Sequence, residues 1–296
     1  MKILCKLHDG VGDIILAMPS VKVIRDTFPK AEITAYPHSR TREGDIRHTL
    51  LKSFGYFDKY IFNLGEYTPY SEEGTMVKKF YSNEPIGGDD EYDLYITNVY
   101  SPRSNAHVMM GDIGLHLLDI FSIGMIKHTL RGAERIPDIR RPKVNFIKTS
   151  IGYDKYITIE YSTTDKKRAP NKELYLSIIT FLRETFPNHA ICFVGDKNAY
   201  DIEGDGCFLF RELSYDNLID VLDLSSFHFG IESGLTTLIG ALGNDLVYIK
   251  NPSSPYNWAS PLKSIYIPIF LNNIKDITPN IICDAIGKLQ KFKEEK

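Results

Sequence analysis

The sequence predicts an α/β protein made of two Rossmann-like halves, each carrying a parallel sheet. Three observations predict it. The chain opens as strand, glycine turn, helix, strand. A second series of the same kind begins near residue 155. In both series a polar, glycine-bearing turn directly follows an apolar run, which is where parallel sheets present their binding turns.

Residues 2–7 (Lys-Ile-Leu-Cys-Lys-Leu) read as a short buried strand. His8-Asp9-Gly10-Val11-Gly12-Asp13 reads as a glycine-rich turn, and residues 14–28 carry apolar side chains at helical spacing. Pro19 is expected to kink that helix or delay its regular part, and Pro29 ends it. Residues 31–36 read as the next strand. Gly10 and Gly12 match the start of a dinucleotide fingerprint, but Ile15 stands where its third glycine belongs. The turn instead sets the carboxylate of Asp13 at the top of a strand, where it can cap the helix, face a crevice, or do both. A helix near 45–55, strands near 58–63 and 92–97, and a helix over 106–126 follow. Residues 65–90, rich in Gly, Glu, Tyr and Pro, read as a long loop or insertion.

Residues 127–148 are basic, and read either as a solvated linker or as a face for an acidic acceptor. The seam between halves is expected near 143–155. The second half reads as a strand at 155–161, a loop at 162–170, a helix at 173–186 stopped by Pro187, and a strand at 190–194 closed by Gly195-Asp196. A short extended piece at 208–210, a helix at 215–222 and strands at 227–230 and 246–249 come next. A terminal helix over 275–292 lies behind Thr278-Pro279.

Composition narrows the function. The 296 residues are 43% hydrophobic and 25% charged, enough to bury a core and unlike a disordered chain. A net charge of −3 lends no general support to nucleic-acid binding, though local basic patches stay open. Cys5, Cys192, Cys207 and Cys283 form no CxxC pair, so a zinc site is not expected, and three of them sit in apolar segments and read as core thiols of a reducing cytoplasm. Lys6, His8 and Asp9 interrupt the first apolar run, which argues against a signal peptide, and no stretch approaches about 18 apolar residues, the length of a membrane span.

The stretch from Gly230 through Ile231-Glu232-Ser233-Gly234 to Gly243 concentrates the chemistry. An acid, a hydroxyl and a glycine form a tight turn, and a helix of small and apolar residues starts there. A helix N-terminus offers unpaired N–H groups and a partial positive charge, so it suits a phosphate. The alternative is a capped core helix with Ser233 as its N-cap.

Together these stretches resemble glycosyltransferase family 9, the heptosyltransferases. Gly12-Asp13-Ile14-Ile15-Leu16-Ala17-Met18-Pro19 with Phe28-Pro29-Lys30-Ala31 resembles the family's opening. Lys167-Arg168-Ala169-Pro170 is similar to its KRWP loop, and Ile231-Glu232-Ser233-Gly234-Leu235 with Ala241-Leu242-Gly243 to its DSG helix start. Asn251-Pro252-Ser253-Ser254-Pro255 resembles its GPTdP turn, with Trp258 and Pro261 at matching spacing. The order holds over almost the whole chain.

The resemblance implies the GT-B fold, with two Rossmann-like domains facing a central cleft. It gives residues 1–150 as the acceptor domain and 151–296 as the nucleotide-sugar domain, the terminal helix packing back on the first. It implies metal-independent, inverting transfer from a nucleotide-diphosphate sugar, with no cofactor. Asp13 is then the catalytic base. Lys167, with Arg168 as second candidate, Ser233, Gly234, Thr236 and Thr237 hold the diphosphate. Glu232 and the Gly195-Asp196 loop meet the sugar or nucleotide. Glu232 replaces the family's Asp and Thr237 its His, so the donor is free to differ from ADP-heptose. The expected acceptor is a cell-surface glycan or lipid-linked glycan, with a hydroxymethylated DNA base as alternative. The expected place is the cytoplasm, with a peripheral site on the inner membrane face left open. A non-catalytic nucleotide-sugar-binding module and an epimerase or dinucleotide enzyme are the other readings. The missing third glycine and the lack of a Tyr-xxx-Lys pair in a suitable helix argue against the last.

Overall fold

The computed structural model describes residues 1–7, 10–37, 45–61, 92–97, 119, 122, 125–126, 130–161, 171–195, 201–250 and 265–295. The chain divides into two compact units, Met1–Arg140 and Arg141–Lys296. The division falls before the seam expected at 150, because residues 141–151 are tied to the second unit. There Arg141 donates to Asp223 and to the Leu242 carbonyl, Ile147 N–H donates to Asp220 Oδ2 at 2.8 Å, and Phe146 meets Phe210 edge-on.

In the first unit, β1 (Lys2–Leu7), α1 (Val11–Thr27), β2 (Glu32–Pro37), α2 (Ile46–Phe54), β3 (Lys59–Tyr60) and β4 (Leu94–Thr97) follow one another. The sheet order is β3-β2-β1-β4, all parallel. β1 lies inside it, and Ile3, Cys5 and Leu7 on one face and Leu4 on the other are buried, as expected of a strand covered on both faces. Helix α1 starts at Val11 and runs through Pro19. The expected delay is therefore overturned, and Gly12 and Asp13 lie in the first helical turn rather than in a loop. Pro19 removes one donor from the ladder, but Ile15, Leu16, Met18 and Val21 around it are buried, and that packing holds the helix. Arg25, near the helix end, donates to the Ala31 and Tyr56 carbonyls and pairs with Asp58 at 2.5 Å, joining the end of α1 to the start of β2 and the approach to β3.

The second unit holds α3 (Phe146–Ile151), β5 (Tyr156–Glu160), α4 (Lys172–Thr185), β6 (Ala190–Gly195), β7 (Cys207–Arg211), α5 (Tyr215–Asp223), β8 (His228–Ile231), α6 (Gly234–Leu242), β9 (Leu246–Ile249), β10 (Tyr266–Ile269) and α7 (Pro279–Glu294). Its six-stranded parallel sheet has the order β10-β9-β8-β5-β6-β7. β10 adds an edge strand to the second sheet, with Pro268 inside it. It sits at the sheet edge, where a missing N–H is tolerated.

One face of this sheet makes the core. Ile157, Ile159, Phe193, Phe229, Val247 and Ile249 pack with Leu174 and Ile178 of α4 and with Ile282 and Ile286 of α7. The terminal helix thus lends its apolar stripe to the core of the second unit. The chain ends of the helices follow local rules. Asn171 caps α4 and Thr278 caps α7 ahead of Pro279, each accepting a main-chain N–H. The four cysteines are free. Burial pushes the thiols of Cys5 and Cys192 up to about 12, so they behave as core side chains.

Candidate functional site

Strands alternate their side chains between faces, and the apolar face of β5 and β8 is occupied by the core just described. The other face therefore carries Thr158 and Glu160 from β5, and His228 and Gly230 from β8. The register pairs Thr158 with His228 and Ile159 with Phe229, so Gly230 comes next to Glu160. This face is polar where a central parallel sheet is ordinarily apolar.

Its members are buried and bonded in a row. His228 Nδ1 lies 2.9 Å from Thr158 Oγ1, and burial lowers the imidazole pKa to about 3, so the ring is neutral. Its Nε2 finds no hydrogen-bond partner among the described residues. A Cβ on Gly230 would lie 2.7 Å from that Nε2, 3.0 Å from Thr236 Cγ2 and 3.1 Å from Glu160 Oε2. Only glycine fits there without moving its neighbours. Glu160 is 5% exposed, and its Oε2 accepts the Ser233 hydroxyl at 2.8 Å.

Ser233 then opens α6. Its Oγ accepts the N–H groups of Leu235 at 3.0 Å and Thr236 at 3.3 Å, while its own N–H donates to Thr236 Oγ1 at 2.8 Å. This is a reciprocal capping box. The hydroxyls of Thr236 and Thr237 donate to main-chain carbonyls of Ile231 and Ser233. Thr237 N–H donates to the Ser233 carbonyl at 3.2 Å. Among the described residues nothing accepts from Gly234 N–H, which leads this helix end. At the far end Gly243, with φ of 90°, closes α6 in the left-handed conformation that favours glycine.

Glu232 is 1% exposed, and its main-chain N–H donates to the Ile249 carbonyl at 2.9 Å. Burial, and then the Glu232 carboxylate, raise the phenol pKa of neighbouring Tyr248. Gly195 ends β6, half-buried, at the same C-terminal edge of the sheet. In the first unit, Gly10 precedes α1 as its N-cap without a side-chain bond. Asp13 is half-buried in the first turn, and its carboxylate folds back so closely that a Cβ on Gly10 would collide with Oδ2. A carboxylate there is favoured by the helix end, in keeping with the capping alternative.

The structure brings Glu232, Ser233, Gly234, Thr236 and Thr237 together at one turn. Lys167, Arg168, Asp196, the 65–90 insertion, the basic residues 38–42 and the turn 251–258 lie outside the described residues. Of the basic stretch 127–148, Arg135 is paired to Asp119 at 2.5 Å and Arg141 to Asp223 at 2.8 Å. Glu160 went unnoticed in the sequence. Its one signal is a carboxylate closing an apolar strand, Tyr-Ile-Thr-Ile-Glu. Among the described residues no group of three His, Cys, Asp or Glu side chains could hold a metal ion, and no helix is long and apolar enough to cross a membrane.

No protein-family model matches the chain, and the search of curated proteins finds no match. Solved structures do match over the full length. ADP-heptose lps heptosyltransferase II of E. coli aligns with a TM-score of 0.66 and 16% identity, covering 99% of this chain and 100% of the other. A glycosyl transferase family 9 protein of Veillonella parvula gives 0.68 at 13% identity, covering 97% and 96%. The E. coli heptosyltransferase WaaC, solved with ADP-2-deoxy-2-fluoro heptose, gives 0.61 at 14% identity, covering 97% and 99%. The two parallel α/β units therefore carry the GT-B fold of the family 9 heptosyltransferases.

Proposed function

We propose that the chain is a glycosyltransferase that moves a sugar from a nucleotide-diphosphate sugar to an acceptor hydroxyl, with inversion and without a metal. The observation that carries this reading is the full-length likeness to heptosyltransferases, taken with a helix start at the C-terminal end of β8 whose first N–H is uncommitted. One of those neighbours was solved with an ADP-heptose analogue, which supports a nucleoside diphosphate as leaving group here.

The chemistry divides between the units. Asp13 of the first accepts the proton of the acceptor hydroxyl as its oxygen bonds to the anomeric carbon. The bond from that carbon to the diphosphate breaks, and its electron pair leaves on the phosphate oxygen. That charge meets Gly234 N–H and the positive end of α6 in the second unit, and the family resemblance assigns Lys167 and Arg168 as its cations. Thr236 and Thr237 shape the turn through their internal bonds rather than by offering protons to phosphate, which narrows the set of direct diphosphate contacts. Glu232 meets sugar or ribose hydroxyls. A glycan acceptor agrees with the lps that the name of the E. coli heptosyltransferase II carries.

Replacing Asp13 tests the assignment of the base. Asp13→Ala should lower turnover by about 10²–10⁴-fold, the usual range for a lost general base, while the nucleotide sugar still binds, as read by nucleotide release and calorimetry. Retained turnover would remove Asp13 from the mechanism. Equal binding with no turnover in either protein would favour a non-catalytic nucleotide-sugar-binding module.

A further inference from the structure

We propose that Glu160 is a positioning residue of the donor site, holding the β8–α6 turn in its phosphate-binding form through Ser233. The inference rests on the reading of that turn as the diphosphate site. Its basis is the direction of each bond. A serine hydroxyl has one proton and two lone pairs. Glu160 Oε2 takes the proton at 2.8 Å, so both lone pairs turn to the amides of Leu235 and Thr236. With those amides and that of Thr237 occupied, Gly234 N–H is left as the main-chain donor at the helix start.

The sheet in turn holds Glu160. Thr158 bonds the His228 ring, and the ring's Nε2 and Glu160 Oε2 crowd the same point over Gly230. The His228 ring is fully buried, so this layer is not a solvated strand end, and its Nε2 has no partner among the described residues. A buried carboxylate without partners is costly, and this one is bonded to the hydroxyl that organises the helix start. On the same face of the sheet, Thr158 and the His228 ring are buried and polar as well, so Glu160 extends a bonded row that ends at the helix start.

The test uses the full chain with ADP and UDP as probes, and hydrogen exchange of the Leu235 and Thr236 amides. Glu160→Ala frees the Ser233 hydroxyl. It should speed exchange at those two amides and weaken binding of whichever nucleotide the wild type binds by about tenfold, the usual worth of one hydrogen bond to a charged group. Glu160→Gln keeps an acceptor oxygen for Ser233, so it should restore slow exchange and bring affinity to within about threefold of wild type. Circular dichroism and melting confirm that both variants fold. A wild type that binds nucleotide alongside a Glu160→Ala protein with unchanged affinity, or with unchanged exchange at those amides, overturns the positioning role alone. A wild type that binds neither nucleotide overturns the donor site and this proposal with it.

Discussion

At the residue scale, His228 ties function to stability. It lies in the middle of the polar layer, and desolvation holds its imidazole neutral, lowering the pKa from 6.5 to about 3. The unfolded chain binds the proton more readily than the folded one, so the stability from a neutral His228 is complete above about pH 6.5 and drains as pH falls toward 3. Urea unfolding of wild type and His228→Asn over this range should show wild type losing stability faster on acidification. A wild-type minus variant difference that stays flat with pH would place the titration elsewhere. Asp58 acts in the same direction. Burial raises its pKa, but the Ile33 N–H and Arg25 together lower it further, so its contribution is also lost as pH falls.

At the element scale, helix starts carry much of the organisation. Ser233, Asn171, Ser214 and Thr278 each receive a main-chain N–H from the first turn of their helix. Thr278 is the cleanest to probe, because α7 packs on the core of the second unit and lies apart from the proposed donor turn in the chain. Thr278→Ala should cost about 1 kcal/mol by denaturant unfolding and leave nucleotide affinity unchanged. A cost near zero would mean that the core contacts of Ile282 and Ile286 alone set the position of the helix.

These starts also show what the sequence could and could not reveal. Ser233 is legible because capping chemistry is local: a short polar residue, a glycine, then an apolar helical run. The strands β6 and β9 are legible because burial on both faces leaves nearly continuous apolar runs, and β5 because its Ile157 and Ile159 alternate with polar residues at the period of a strand. Glu160 is not, because its meaning depends on a serine 73 residues later, and no local pattern carries that distance. The start of α1 was misplaced because glycines at 10 and 12 look like a loop, whereas Gly12 is accommodated inside the first turn. β10 is hard to read from sequence because Pro268 breaks its pattern, and an edge position tolerates the missing N–H.

At the scale of the whole molecule, the two units repeat one construction. In each, a central parallel strand is followed by a helix with an acid or hydroxyl near its start. The turn of the first unit offers a carboxylate, Asp13. The turn of the second offers an N–H, from Gly234, backed by the buried carboxylates of Glu160 and Glu232. A base and an anion-holding helix end are complementary parts of a displacement at an anomeric carbon, and that division of labour is the central claim. Thermal unfolding of the full chain against a panel of nucleotide-diphosphate sugars tests it most directly. A donor at about 100 times its dissociation constant adds about 2.7 kcal/mol of stability, and the account predicts a melting rise of several degrees for at least one nucleotide-diphosphate sugar and for its nucleoside diphosphate. No rise with any member of the panel, at millimolar concentration, would contradict the assignment of a nucleotide-sugar site.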